Sequence, residues 1–184
     1  EFRPTVSGSP SPVGQTRLTA TLVVACGDTG TVTPTPVTLP FADTAFAERY
    51  ENMLVLLPQT LYANDLFVLG RYGEVSLSAG SRLVNPTNIV DPGAPAQALA
   101  LANRLNQIRL DDGRDPQNPD PTPYLFGGAN PTLRSGDTTS FITGILTHTD
   151  SSAGATSDPV AYRIHPTQPV IFTRDNPPPT PPAP

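Results

Sequence analysis

Proline is the feature that most restricts what this chain can fold into. Twenty-four of the 184 residues are proline, and they fall between most of the apolar segments. Proline lacks a backbone N–H and disrupts helix interiors, and sheets tolerate it only at edges, strand starts and bulges. The core is therefore expected to consist of short strands joined by turns.

Apolar and β-branched segments between the prolines predict these strands. Thr16–Cys26 is partly alternating, and Asn52–Ala63 is strand material broken at Pro58. Asp137–Thr147 and Val160–His165 predict a strand pair, and Val170–Thr173 predicts a last short strand. Glycines between Leu66–Leu69 and Glu74–Ser78 predict a hairpin turn.

One longer helix is predicted at Ala94–Asn106. Pro95 suits its first turn, and apolar residues recur there at helical spacing, namely Ala98, Leu101, Ala102 and Leu105. Asp43 or Thr44 is expected to cap a short helix that ends at Tyr50. The pattern predicts a mainly β fold, a Greek-key barrel or sandwich with one intercalated helix.

Composition divides the chain into four parts. Residues 1–15 predict an extended N-terminal arm, and residues 16–45 a strand followed by a Thr/Pro connector. Residues 46–173 are expected to form the β domain. Residues 174–184 predict a Pro-rich tail of polyproline II type.

Charge and cysteine content narrow the function classes. The net charge is −5, and all 11 basic residues are arginines that are scattered singly. Nucleic-acid binders present clustered basic patches, so a dedicated nucleic-acid groove is not expected. No apolar run is long enough for a membrane span. The single cysteine, Cys26, is either a buried inert thiol or the site of an intermolecular disulfide.

The Asp/Asn-rich segment after Leu110 is a candidate metal site. Calcium prefers six to eight oxygen ligands, which several closely spaced carboxylates and amides can supply. The alternative is a solvated turn, since Asp and Pro are ordinary turn residues. The candidate ligands are Asp111, Asp112, Asp115, Asn118 and Asp120. No further cofactor is indicated.

No recognisable catalytic motif is present, so the chain is predicted to be non-catalytic. His148 and His165 lack neighbouring metal-ligand partners and are expected to be surface or structural residues. Tyr62, Phe67 and Tyr72 suit core packing, with an aromatic platform for bases as the alternative.

A series of segments in fixed order resembles one protein family. They are RYENMLVLLPQTL, LGRYGEVSLSAGSRLVNPTNIVDPG, IRLDDG, NPDPTPY, TLRSGDTTSFITGIL and YRIHPTQPVIFT. Together they resemble the β-rich, OB-like region that precedes the endonuclease/exonuclease/phosphatase domain of secreted bacterial nucleases. The resemblance spans Leu18–Pro178 and implies an OB-like fold without catalytic residues.

Two functions follow from these features. The first is an extracellular structural subunit that self-assembles through extended arms, with Phe2 and Val6 as the anchors of the N-terminal arm. A head-to-tail exchange of arms that does not close on itself would build a filament. The second is an accessory module that positions nucleic acid or another polymer for a secreted nuclease. The low charge and the Thr/Ser/Pro bias favour an extracellular location, which requires a signal peptide removed before Glu1. The Thr/Pro segments also suit O-glycosylation, so glycans are expected partners.

Overall fold

The computed structural model describes residues 30–114, 117–127, 131–148 and 162–177, together with residues 24 and 27. The predicted strand Thr16–Cys26, including Cys26, is otherwise outside this part of the chain. The described strands are β1 Thr35–Pro36, β2 Leu54–Leu57, β3 Leu61–Ala63, β4 Glu74–Ala79, β5 Ile108–Asp111, β6 Thr138–Thr139, β7 Ile142–His148 and β8 Tyr162–Pro166. The helices are α1 Leu69–Tyr72 and α2 Ala94–Leu105, with 3₁₀ turns at Ala47–Tyr50 and Pro86–Asn88.

The strands form one mixed sheet in the order β1-β2-β7-β8-β5-β4-β3-β6. The β1–β2 and β5–β8 pairs are parallel, and the other neighbours are antiparallel. The prediction of a mainly β fold is confirmed. The sheet is not closed by hydrogen bonds between its two edge strands, so the finer prediction of a barrel is not confirmed.

The connection from β6 to β7 requires this sheet to curl strongly. The two strands are five positions apart in the sheet order, which is about 24 Å in a flat sheet at the usual strand spacing. Only Ser140 and Phe141 join them, and three residue steps reach at most about 11 Å. The sheet therefore bends until these strands approach each other, and Phe141 lies at the resulting corner.

The strands show two burial patterns, alternation in β2 and β7 and burial of both faces in β4, where five consecutive residues are buried. In β7 and β2 every second residue is buried. The buried apolar residues of neighbouring strands are paired in register, as in Val75 with Leu110 and Leu110 with Ile164. Full burial of such a side chain contributes about 1.5–3 kcal/mol. Burial of apolar side chains against neighbouring strands, rather than strand length, therefore stabilises these short strands.

Two turns show how local sequence sets strand ends. Pro58 separates β2 from β3 as predicted. The predicted hairpin around Gly70–Gly73 is wrong, because Leu69–Tyr72 forms one helical turn that Gly73 ends in a left-handed conformation, φ 72°. Strand β4 pairs antiparallel with both β3 and β5. Glycine at this spacing suits a helix C-terminus as well as a hairpin, and the sequence pattern does not separate the two.

Helix α2 confirms the prediction at Ala94–Asn106 to within one residue. None of its residues is buried, and Leu101 is exposed. The Asn106 side chain attaches the end of the helix to β4 by hydrogen bonds with both the N–H and the C=O of Ala79, at 3.2 and 3.0 Å. The helix is thus a peripheral element.

The residues after Thr173 are held on the domain as far as they are described. Arg174 forms an ion pair with the fully buried Asp137, with 2.9 Å between Nη1 and Oδ2. The Asn176 amide group donates to the Ser135 carbonyl at 2.7 Å. Thr173 pairs with Thr138 of edge strand β6 by two backbone hydrogen bonds. The segment therefore covers much of the β6 edge.

No helix in the described ranges is long and apolar enough to cross a membrane.

Glu51 gives a pH-dependent prediction. Burial raises the pKa of its carboxyl, the Glu48 charge adds to this, and His148 opposes it. Its Oε1 is buried and has no hydrogen-bond partner within the described ranges. Because the folded state favours the protonated form, ionised Glu51 costs stability above its ordinary pKa range. Glu51→Gln should raise the urea midpoint at about pH 7, and the gain should vanish near pH 4, where glutamate protonates in the unfolded chain as well. An equal gain at both pH values would contradict this origin.

Candidate functional site

A buried group of charged side chains lies on the face of β4, β5 and β8 that is opposite the apolar core. The strand register places Glu74 beside Asp111, and Arg109 beside Arg163. Two arginines on neighbouring strands repel each other unless carboxylates separate them. Each arginine therefore needs an acidic neighbour at this point of the sheet.

The distances meet that need. Nη1 of Arg163 lies 2.9 Å from Oε1 of Glu74 and 2.9 Å from Oδ2 of Asp111. Nη1 of Arg109 lies 3.0 Å from the other Glu74 oxygen. The two positive and two negative charges balance, which buried ions require. This charged cluster, defined as Glu74, Arg109, Asp111 and Arg163, fixes the register of the three strands.

Both histidines are part of the packing. His148 is buried at the end of β7, with its ring 4.9 Å from that of Tyr162. The Nδ1 atom of His165 lies 3.7 Å from Oδ1 of Asp111, and its Nε2 lies 3.0 Å from the Thr147 hydroxyl. These positions agree with the structural role expected of them.

The predicted calcium ligands that the structure describes have different surroundings. Asp111 belongs to the charged cluster, and Asp112 follows it in a tight turn where Oδ1 accepts the Arg114 N–H at 3.1 Å. The Asn118 backbone N–H donates to the Arg71 carbonyl, and Asp120 is exposed. Asp115 is outside the described residues.

Within the residues that the structure describes, no group of three or more His, Cys, Asp or Glu side chains could hold a metal ion. The charged cluster explains this for Asp111, whose oxygens accept from Arg163 and from the Gly113 N–H. The calcium hypothesis for the whole set of five residues stays a prediction.

A groove with no charged lining residue lies beside the β6–β7 corner. It has a volume of about 190 Å³. We call it the corner groove, and it is lined by Ser140, Phe141, Ile142, Thr143, Gln168, Pro169, Val170 and Ile171. Two large apolar side chains border it in contact with solvent, Phe141 at 72% exposure and Ile171 at 78%.

The backbone of Phe141 is unusual. Its φ is 57°, in the left-handed region that bulky residues rarely adopt. Such a conformation costs about 1–3 kcal/mol and persists only where the surroundings impose it. The short β6–β7 connection imposes it here and directs an aromatic side chain outward. The sequence predicted one continuous strand across this site, because nothing in Ser140–Phe141 signals a break.

The sequence analysis named Phe2 and Val6 as partner-binding residues. Both lie outside the described residues. Comparisons with protein-family models, with curated proteins and with solved structures found no match to this chain.

Proposed function

We propose that this chain is a non-catalytic extracellular structural subunit that self-assembles through its N-terminal arm. In this proposal, residues 1–15 of one copy dock into the corner groove of the next copy. The observation that carries it is Phe141, a solvent-exposed aromatic residue in a strained backbone conformation at the border of an uncharged groove.

The chemistry of the arm suits the corner groove. Residues 4–15 of the arm carry no charge, and neither does any lining residue of the groove. Phe2 and Val6 supply apolar anchors against Phe141 and Ile171. Proline-rich segments commonly dock in grooves lined by aromatic rings, because their extended conformation loses little entropy on binding.

The geometry of such docking favours a linear assembly of subunits. An arm that enters a different copy makes a head-to-tail contact, which extends into a filament unless the rotation closes a ring. Covering Phe141 and Ile171 also removes apolar surface from water, which adds to the free energy of association.

Deletion of residues 1–15 tests the proposal directly. The shortened chain should keep its fold, because the described core lies entirely after the arm. Assemblies larger than the monomer should disappear. Circular dichroism checks the fold, and sedimentation velocity with electron microscopy checks assembly. The same sedimentation behaviour for full-length and shortened chains would contradict the proposal.

Phe141→Gly isolates the receptor side. Glycine adopts a φ of 57° without strain, so the folded domain should be as stable as before or more stable. Assembly should nevertheless be lost, because the aromatic border is gone. Phe67→Gly is the matched control, since Phe67 is 89% exposed but does not line the corner groove. If both variants assemble equally well, Phe141 has no part in docking.

The alternative proposal is an accessory module of a secreted nuclease, favoured by the segment resemblance described above. It predicts that the purified chain binds a polymer substrate while remaining monomeric. With a net charge of −5, DNA binding should be weak at about 150 mM salt. A sub-micromolar dissociation constant for DNA, together with a monomeric full-length chain, would support the alternative over self-assembly.

A further inference from the structure

A second groove lies next to the turn that follows β5. Its volume is about 330 Å³, at the small end of the range for small-molecule sites. Prolines form a large part of its wall. We call it the proline groove, and it is lined by Asp112, Arg114, Tyr124, three prolines at 121, 123 and 166, and residues 167–170.

Asp112 is an unusual acid in this groove. Its side chain is only 8% exposed, and its Oδ2 is buried with no hydrogen-bond partner among the described residues. The carboxylate packs directly on Gly73, where an added Cβ would lie 2.6 Å from the carboxyl carbon. A buried acceptor without a donor is unfavourable, so the site favours a ligand that donates a hydrogen bond.

Tyr124 presents a second unsatisfied atom in the same groove. Its hydroxyl oxygen is buried and has no hydrogen-bond partner in the part of the chain that the structure describes. Burial raises its pKa well above the usual value, and the charges of Asp112 and Asp111 add to this. The hydroxyl therefore stays protonated and can both donate and accept. Both residues line the proline groove, and both of these polar atoms are enclosed.

We propose that the proline groove binds a neutral saccharide, whose hydroxyl groups donate to Asp112 and pair with Tyr124. A sugar hydroxyl both donates and accepts, which is what these two atoms require. The proline rings and Val170 offer apolar surface to the C–H face of a sugar ring. Gln168 and Thr167 add an amide and a hydroxyl at the rim.

Charge distinguishes this ligand from a cation. The Arg114 guanidinium lies beside Asp112, with 4.0 Å between Nε and Oδ2. It balances the carboxylate and repels positively charged ligands. The Arg114 side chain is 61% exposed, and ion pairs of exposed side chains contribute little free energy. The pair with Asp112 therefore holds Arg114 only loosely. Its displacement gives a sugar hydroxyl access to the enclosed Asp112 oxygen.

The two grooves share Gln168, Pro169 and Val170 as lining residues. The saccharide proposal is nevertheless tested separately from arm docking, because Asp112, Arg114 and Tyr124 line the proline groove and not the corner groove. The saccharide has two sources, an environmental polysaccharide or a glycan carried by another copy of this chain. The recognition chemistry is the same for both, and the probes below separate them.

The test uses the full chain with two sets of probes. The first is an array of neutral oligosaccharides, and the second is the set of glycans released chemically from the secreted protein. Sugars that bind are then titrated by calorimetry, with NMR shifts to locate the site. We expect Asp112→Asn to weaken binding at least about tenfold and Tyr124→Phe by several-fold, because each removes part of a hydrogen-bond pair. Arg114→Ala should strengthen binding.

Asp43→Asn is the matched control, since this exposed acid lies outside the proline groove. It should leave affinity unchanged, and thermal melting should show that all four variants are folded. The proposal is overturned if no neutral sugar binds at about 10 mM, or if Asp112→Asn binds as well as the parent chain. Calcium binding that Asp112→Asn abolishes, without any sugar binding, would also overturn it.

Discussion

Replacing Arg163 by methionine should destabilise the fold by about 3–5 kcal/mol, the usual cost of leaving buried charges without their partner. Arg163 is 5% exposed and bridges Glu74 and Asp111, which are both buried. Methionine fills similar space but leaves two carboxylates facing each other across β4 and β5. Urea unfolding followed by circular dichroism measures the loss, since the chain has no tryptophan for fluorescence.

A second substitution separates charge from packing in this prediction. Asp111→Asn in the Arg163→Met background removes one of the stranded charges, while Glu74 keeps its pair with Arg109 at 3.0 Å. The double variant should therefore recover part of the lost stability. If Arg163→Met alone costs less than about 1 kcal/mol, the charged cluster does not hold the three strands together in the way described.

Gly144→Ala should cost about 3 kcal/mol or more, because the added methyl group has no free space. Gly144 lies in β7 where β8 passes closest. An added Cβ would overlap the backbone carbonyl oxygen of His165 and lie 2.7 Å from Cγ1 of Ile164. A backbone atom cannot move aside by changing rotamer, so the β7–β8 pair itself would have to separate. The urea midpoint measures this effect.

Gly70→Ala is the control for Gly144→Ala. Gly70 lies in helix α1, and an added Cβ there meets no atom within 4 Å. Alanine also favours helix relative to glycine, so this variant should be neutral or slightly stabilising. Equal losses at the two positions would indicate a general effect of removing glycine rather than the close approach of β8.

Gly144→Ala should also affect the corner groove, where the N-terminal arm is proposed to dock. Strand β7 contains Gly144 and also Ile142, which lines the corner groove and is two residues before Gly144. A separation of β7 from β8 would change the groove as well as the core. We therefore expect Gly144→Ala to reduce assembly together with stability, whereas Phe141→Gly should reduce assembly alone.

Several features of the fold follow from the sequence by itself. Strand β2 ends directly before Pro58, because proline has no backbone N–H to donate to a neighbouring strand. The apolar spacing from Ala94 onward predicts helix α2, and the residues that form β7 are predicted to be strand. These features depend on interactions within a few residues, which local sequence specifies.

Other features were decided only by the tertiary structure. Glu74 and Arg163 are 89 residues apart in the chain, and they meet because the sheet order brings β4 near β8. The strained corner at Phe141 arises because the curled sheet leaves only two residues between β6 and β7. The exposure of helix α2 is likewise a tertiary property, because it depends on where the helix packs relative to the sheet. Local propensity acts over a few residues, whereas these properties depend on which distant strands become neighbours.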